Sequence, residues 1–299
     1  MSTNELTLLF TFVDDFFQAL FHAPFGKKLR HLWENKRGRQ KKLTLSEVVT
    51  LNLFRFYMRV QDLKTFHRII SEHYKRYFPE LPNYENFLKA TNRSGLFISL
   101  LVKYVLHMNS RGNEEHFVDS TDVPVCKNHN IYTYRVAKEI AARGKTSKGW
   151  FYGFKLHGVC TVEGDLESIY FTPGNVHDNR ALSDLIVNLE GIFVCDAGYL
   201  LKQDELARFF EAEKRLYIAT RNNMKRLMTK AQHQLFKRRS VIENVWNTLK
   251  VRMNMAYSFA RGVHGLFRHY LYCIGSYLLR NLFERIQSNI LGEIKLSLT

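Results

Sequence analysis

Apolar residues recur at spacings of three and four near the start of the chain. Leu6, Leu9, Phe10, Val13, Phe16, Phe17 and Leu20 trace one face of a helix. Thr44-Leu-Ser-Glu47 is a capping-box pattern and predicts the start of a second helix, continued by Val48, Leu51, Leu53, Phe54 and Tyr57. Pro79 and Pro82 break the chain, and helical spacing resumes over Tyr84 to Leu88 and Leu96 to Met108. Residues 1–110 are therefore expected to be helical.

The period changes at the turn-like cluster Ser110-Arg-Gly-Asn113. His116 to Thr121 is a short strand pattern, expected to end near Pro124. Trp150 to Val162 is dense in aromatic and β-branched residues, Gly164-Asp165 makes a turn, and Leu166 to Thr172 reads as the return strand. Asp178 is placed as the N-cap of a helix over Arg180 to Leu189. Ile192 to Cys195 is a buried-type strand, Asp204 to Glu213 a helix, Leu216 to Thr220 a strand, and Lys225 to Met255 mostly helix. A helical front followed by β-β-β-α-β-α-β-α predicts an α/β layer architecture with a mixed sheet.

Charge changes the picture. The 299 residues hold 44 Lys and Arg against 28 Asp and Glu, a net charge of +16. That excess calls for a polyanionic partner, nucleic acid first and an anionic membrane second. The longest apolar stretch, Tyr270 to Leu279, lies between Arg268 and Arg280 and is too short for a span of ~18–20 residues. The apolar N-terminus carries Glu5, Asp14 and Asp15 and lacks the basic lead of a secretory signal. Cys126, Cys160, Cys195 and Cys273 form no CxxC pair and fit reduced thiols, not a zinc site or disulfides. The expected location is the cytoplasm.

One acid is conspicuous by isolation. From Lys214 to Phe283 the only carboxylate is Glu243, among fourteen Lys and Arg. It can be an ion-pair partner for Arg239 or Lys250. Helical spacing offers another role, because Arg239, Glu243, Asn247 and Lys250 fall on one stripe at i, i+4, i+8 and i+11. Such a stripe facing a phosphate backbone can hold a divalent metal on the acid and phosphates on the cations. Trp246, one turn on from Glu243, is expected in the core. Asp119, in His116-Phe-Val-Asp-Ser-Thr121, lies in an apolar strand where a carboxylate is costly unless paired or metal-bound. Asp196 ends the strand Ile192 to Cys195 and precedes Gly198, at the kind of strand end where α/β sheets build sites. Singly, each aspartate is equally a turn former or cap. Together, three carboxylates that converge would suit Mg²⁺ or Mn²⁺ and two-metal phosphodiester chemistry.

These residues resemble a known family. Phe236-x2-Arg239-x3-Glu243-x6-Lys250 is similar, spacing for spacing, to the Tyr-x2-Arg-x3-Glu-x6-Lys signature of bacterial insertion-sequence transposases with an Asp-Asp-Glu (DDE) triad. Phe236 stands where the signature has Tyr, so contacts of that hydroxyl are in question. Val118 to Thr121 resembles the first catalytic block, and Thr172 to Asp178 with Cys195 to Tyr199 resembles the second. The resemblance covers roughly residues 110 to 265. It implies a ribonuclease-H-like fold, a mixed five-stranded sheet flanked by helices behind the all-helical N-terminal domain. It implies Asp119, Asp196 and Glu243 as the catalytic, metal-holding triad, with Mg²⁺ as cofactor and Mn²⁺ as substitute. It implies Arg239 and Lys250 as DNA contacts, extended here to Lys237, Arg238 and Asn247. The implied activity is cleavage at insertion-sequence ends and joining of the 3′-hydroxyls to target DNA. The implied partners are double-stranded DNA, as inverted repeats bound by the N-terminal helices and as target, and at least a second copy of the chain, with no membrane. The rivals are a metal-dependent nuclease that never joins strands and an inactive DNA-binding repressor derived from a transposase.

Other features carry two readings each. His157 fits a satisfied strand histidine or a catalytic one, and His177 fits a supporting role behind the metals or none. The basic loop Lys145-Thr-Ser-Lys148 and the run Lys27 to Lys42, with eight cations and one acid, fit DNA contact or a solvated face. Leu266 to Leu282 fits a packed helix or a dimer seam. The expected domains are 1–110, helical and DNA-binding; 111–283, catalytic; and 284–299, a tail.

Overall fold

The computed structural model describes residues 3–34, 41–147, 149–219, 228–256 and 258–297. Along the chain, six helices come first: α1 (Thr3–His22), α2 (Gly26–Trp33), α3 (Leu45–Tyr57), α4 (Leu63–His73), α5 (Tyr84–Arg93) and α6 (Gly95–Asn109). There follow β1 (Glu115–Cys126), β2 (Ala142–Thr146), β3 (Gly149–Cys160), β4 (Leu166–Pro173), α7 (Asp178–Leu185), β5 (Gly191–Cys195), α8 (Gln203–Glu211) and β6 (Lys214–Ile218). The last elements are α9 (Lys230–Arg238), α10 (Ser240–Asn247), a π-helical turn over Thr248–Arg252, and α11 (Val263–Ser297). The chain divides into two compact units, one of Met1–Tyr104 with Ser258–Thr299, the other of Val105–Tyr257.

The helical unit is built around α3. The predicted capping box starts it, with Thr44 Oγ1 accepting from the Glu47 N–H and Glu47 Oε2 accepting from the Thr44 N–H at 2.7 Å. Eleven of its thirteen residues are buried, so it lies inside a bundle with apolar neighbours on every side. Some of its buried polar groups find partners. Asn52 donates to the Val48 carbonyl and to Thr91 Oγ1, and Ser276 Oγ donates to the Leu53 carbonyl. Helix α11 packs on α3, and its Tyr270, Cys273, Ile274 and Tyr277 are buried. This corrects the expected boundaries. Residues 258–283 belong with the N-terminal helices because their apolar positions are buried there, and α11 continues through the expected tail to Ser297.

The second unit is a mixed sheet with strand order β2-β3-β1-β5-β6, and β4 also pairs with β3. The long strand β3 is antiparallel to β1 on one side. On its other side β2 pairs with Gly149–Gly153 and β4 with Phe154–Cys160, so two short strands share one edge. Six strands thus stand in the five lateral positions of the expected sheet. Strand β5 is parallel to both β1 and β6. Val118, Val159, Phe193 and Ile218 pack against Leu182, Leu185 and Ile186 of α7 and its C-terminal turn, and Leu206 and Phe209 of α8 join them. Helix α10 packs on β1, in contact with residues one position out of phase and therefore on the other face. A mixed sheet flanked by helices, behind a helical N-terminal part, is consistent with the ribonuclease-H-like expectation.

Several elements differ from their sequence reading. Strand β1 continues through Pro124 to Cys126, with an irregularity between those two residues. Opposite Pro124 stands Gly153, where any Cβ would run into the Val123 carbonyl, so the close approach there needs glycine. Lys145, placed in a loop, lies on β2; Lys148 falls outside the described residues. Asp178 is the first residue of α7 and not its cap; His177 holds the cap position without a side-chain bond. Strand β6 begins at Lys214, earlier than expected, and Thr220 and Lys225 lie outside the described residues.

Candidate active site

The site is assembled from the centre of the sheet outward. Asp119 lies on β1 in register with Gly158 of β3. A side chain at 158 would overlap the Trp246 ring, so glycine lets the indole of α10 lie against the sheet. There Trp246 is 5% exposed and its Nε1–H donates to Asp119 Oδ2 at 3.2 Å. Trp246 is a core residue, as expected, and also a hydrogen-bond donor to the first aspartate.

Arg239 sits at the turn joining α9 to α10. Its guanidinium spans two acids, with Nη1 3.4 Å from Asp119 Oδ1 and Nη2 donating to Glu243 Oε1 at 3.2 Å. The i, i+4 relation seen in the sequence thus brings Glu243 to the same guanidinium that reaches β1. Asp119 is largely covered, at 18% side-chain exposure, and Glu243 stands toward solvent at 60%.

Asp196 follows β5. Parallel pairing sets Cys195 opposite Val118, so Asp196 leaves the sheet beside Asp119. Its Oδ1 accepts from the Ala197 N–H at 2.6 Å and caps the short turn Ala197–Tyr199. Asp119 is pushed up to about 6, chiefly by burial; Arg239, the Ser120 N–H and the Trp246 N–H resist the shift, and the charge of Asp196 adds to it. The charges of Arg239 and Asp196 thus act on Asp119 in opposite directions.

The other predicted contacts are dispersed. Lys250 reaches Asp122 at 2.8 Å and Thr121 Oγ1 at 3.3 Å, and Arg238 pairs with Glu115 at 2.8 Å. Lys237, Asn247 and His177 are exposed. His157 is the satisfied strand histidine: fully buried, 2.8 Å from Thr172 Oγ1 and 3.3 Å from the Tyr199 hydroxyl, with burial pulling it down to about 4. In the basic run, Lys36, Arg37 and Arg39 fall outside the described residues, and Lys41 stacks over Trp33 at 3.9 Å. Sequence reasoning missed a cluster beside the aspartates. Asp178 Oδ1 accepts from Ser120 Oγ at 3.0 Å and from Lys155 Nζ at 2.9 Å. The strand alternation of Ser120, Lys155 and His157 is its only trace in the sequence.

Residues 110–263 match the model of a transposase DDE domain. The chain belongs to that family. The match spans just over half of the 299 residues and includes Asp119, Asp196 and Glu243. The DDE domain marks the chain as a transposase, an enzyme class that acts on DNA and generally uses divalent metal ions. No curated protein matches the chain. No helix among the described residues is long and apolar enough to cross a membrane.

The donors present suit such an ion in chemistry, since three carboxylates offer hard oxygens of the kind Mg²⁺ and Mn²⁺ take. Among the described residues no three His, Cys, Asp or Glu side chains stand together as a finished metal cluster. Arg239 places its positive charge between Asp119 and Glu243.

Proposed function

We propose that the DDE domain cleaves phosphodiester bonds at the ends of an insertion sequence and joins the freed 3′-hydroxyls to target DNA. The observation that carries this reading is the single guanidinium of Arg239, which bridges Asp119 and Glu243, 124 positions apart by number, while Asp119 also senses Asp196. Acids from β1 and α10 share one positive charge, and the charge of Asp196 at the end of β5 acts on Asp119.

Asp119, Asp196 and Glu243 are the residues that would hold Mg²⁺, or Mn²⁺ in its place. When bound, such ions activate the attacking oxygen and stabilise the oxygen that leaves phosphorus. The chain's own groups do the rest. Trp246 fixes one oxygen of Asp119 and keeps that carboxylate from rotating. The Ala197 N–H holds Asp196 at the strand end. Arg239 has only to turn from the two acids to a phosphate oxygen to become a DNA contact. Lys237 on α9 and Asn247 on α10 lie exposed, and Lys250 and Arg238 reach phosphates by giving up Asp122 and Glu115. The net charge of +16 draws in both the element end and the target. His177, exposed at the cap position before Asp178, has a supporting role.

The test is cleavage of a labelled duplex carrying the element end, followed by strand transfer from a pre-cut 3′-hydroxyl end. Asp119→Ala, Asp196→Ala and Glu243→Ala each abolish both products and leave end binding intact. Wild-type cleavage by Glu243→Ala overturns the triad. Cleavage without any joined product overturns strand transfer in favour of a plain nuclease.

A further inference from the structure

Asp178 belongs to none of the three acids, yet its carboxylate touches the chain next to two of them. Oδ1 accepts from Ser120 Oγ, the residue after Asp119, at 3.0 Å. Oδ2 lies against Gly198, two residues after Asp196, where an added Cβ would stand 2.9 Å away. Lys155 of β3 closes the group with its Nζ 2.9 Å from Oδ1, at 13% exposure against 22% for Asp178. The next residue, Asn179, donates from Nδ2 to the Leu200 carbonyl at 3.3 Å and holds the far end of the same turn. The buried Tyr199, between Gly198 and Leu200, puts its hydroxyl 3.3 Å from His157 Nδ1, itself 3.9 Å from Asp178 Oδ1. One carboxylate at the start of α7 thus ties β1, β3 and the turn after β5 together.

We propose that Asp178 is a positioning residue that sets Asp196 against Asp119, with Lys155 as its counter-charge and Gly198 as the gap that admits it. The proposal rests on the reading of Asp119 and Asp196 as metal-holding residues. Its physical basis is precision. Two acids that share ions must keep a fixed separation, and Asp196 lies one residue beyond Cys195, the last residue of β5 paired with β1. Groups behind a metal's ligands commonly account for about 10–100-fold in metal affinity or activity. Asp178 has the contacts to act that way without reaching the metal or the DNA.

The experiment measures Mn²⁺ binding to the full chain by electron paramagnetic resonance, with cleavage rates and thermal melting alongside. Asp178→Asn keeps the shape and removes the charge that holds Lys155. Gly198→Ala pushes on Oδ2 from the opposite side. Both variants are expected to weaken Mn²⁺ binding about 10–100-fold and lower kcat, with KM for the DNA end unchanged. Asp178→Asn/Lys155→Met restores charge balance; it recovers melting temperature and leaves Mn²⁺ binding weak. A merely structural role predicts that the double variant recovers both, and that result overturns the proposal. Should Asp178→Asn not fold, Gly198→Ala decides: wild-type Mn²⁺ affinity there also overturns it. Asp196→Ala is the control. If it leaves Mn²⁺ binding unchanged, the metal reading itself has failed; if it abolishes binding while Asp178→Asn and Gly198→Ala bind normally, the positioning role alone is refuted.

Discussion

Gly158→Ala tests how packing reaches the site. At position 158 a Cβ would overlap the Trp246 ring, lie 3.0 Å from its Cζ2 and 3.3 Å from Leu166 Cδ2. Trp246 is 5% exposed and Leu166 fully buried, so neither can swing into solvent. Overpacking of this kind costs about 1–3 kcal/mol. For a unit of this size that is a melting shift of roughly 2–12 °C. To relieve the contact the indole must lift from the sheet by about an ångström, beyond hydrogen-bond range of Asp119 from its present 3.2 Å. A misplacement of that order lowers cleavage by about 100-fold. Melting and single-turnover cleavage are compared for Gly158→Ala, Trp246→Leu and the double variant. The smaller Leu vacates the space, so the double variant is expected to melt above the sum of the single effects, with a coupling of about 1 kcal/mol or more. Cleavage stays low in all three, because the double variant also lacks the indole N–H. Stability within about 0.5 kcal/mol of wild type together with normal cleavage by Gly158→Ala would refute the reasoning.

Two further predictions concern buried histidines. His116 and Glu167, at 1% and 0% exposure, stand 2.7 Å apart, with Asn113 Nδ2 also donating to Glu167. His116→Leu strands a buried carboxylate and should cost about 3–5 kcal/mol by urea denaturation, whereas His116→Leu/Glu167→Leu should recover most of that loss; equal losses in both would show that the pair's charge is irrelevant. Burial works against protonated His116, but the hydrogen bond and charge of Glu167 prevail and raise its pKa, so its contribution is full below about pH 6.5 and fades as pH rises through the raised value. His157 behaves oppositely. With its pKa held down to about 4, the unfolded chain takes up a proton between about pH 6.5 and 4 that the folded chain refuses. Stability should therefore fall as pH drops through that window, by about 3 kcal/mol at its lower end, and His157→Gln should flatten the slope. An identical pH profile for the variant would contradict this account.

The elements and the order of their chemistry are legible along the chain. Helical spacing over α1, the Thr44–Glu47 capping box and the aromatic strand β3 are local patterns, written in residues that lie near one another. The signature Phe236 to Lys250 is local too, which is why spacing alone puts Arg239 and Glu243 on one face. Whatever depends on residues far apart is settled only by the fold. Pro124 reads as a stop, because nothing local reveals that Gly153 on the neighbouring strand makes room for it. Adjacency assigns residues 258–283 to the catalytic part, whereas burial against α3 draws them to the N-terminal helices. Asp178 reads as a cap because helix starts favour aspartate, and only strand pairing brings Ser120, Lys155 and Gly198 to its carboxylate. The same holds for Gly158 and Trp246, which share a contact across 88 positions by number. Local patterns set conformation through short-range sterics and hydrogen bonds, while the partners of a buried charge or ring follow from which strands pair and in what register.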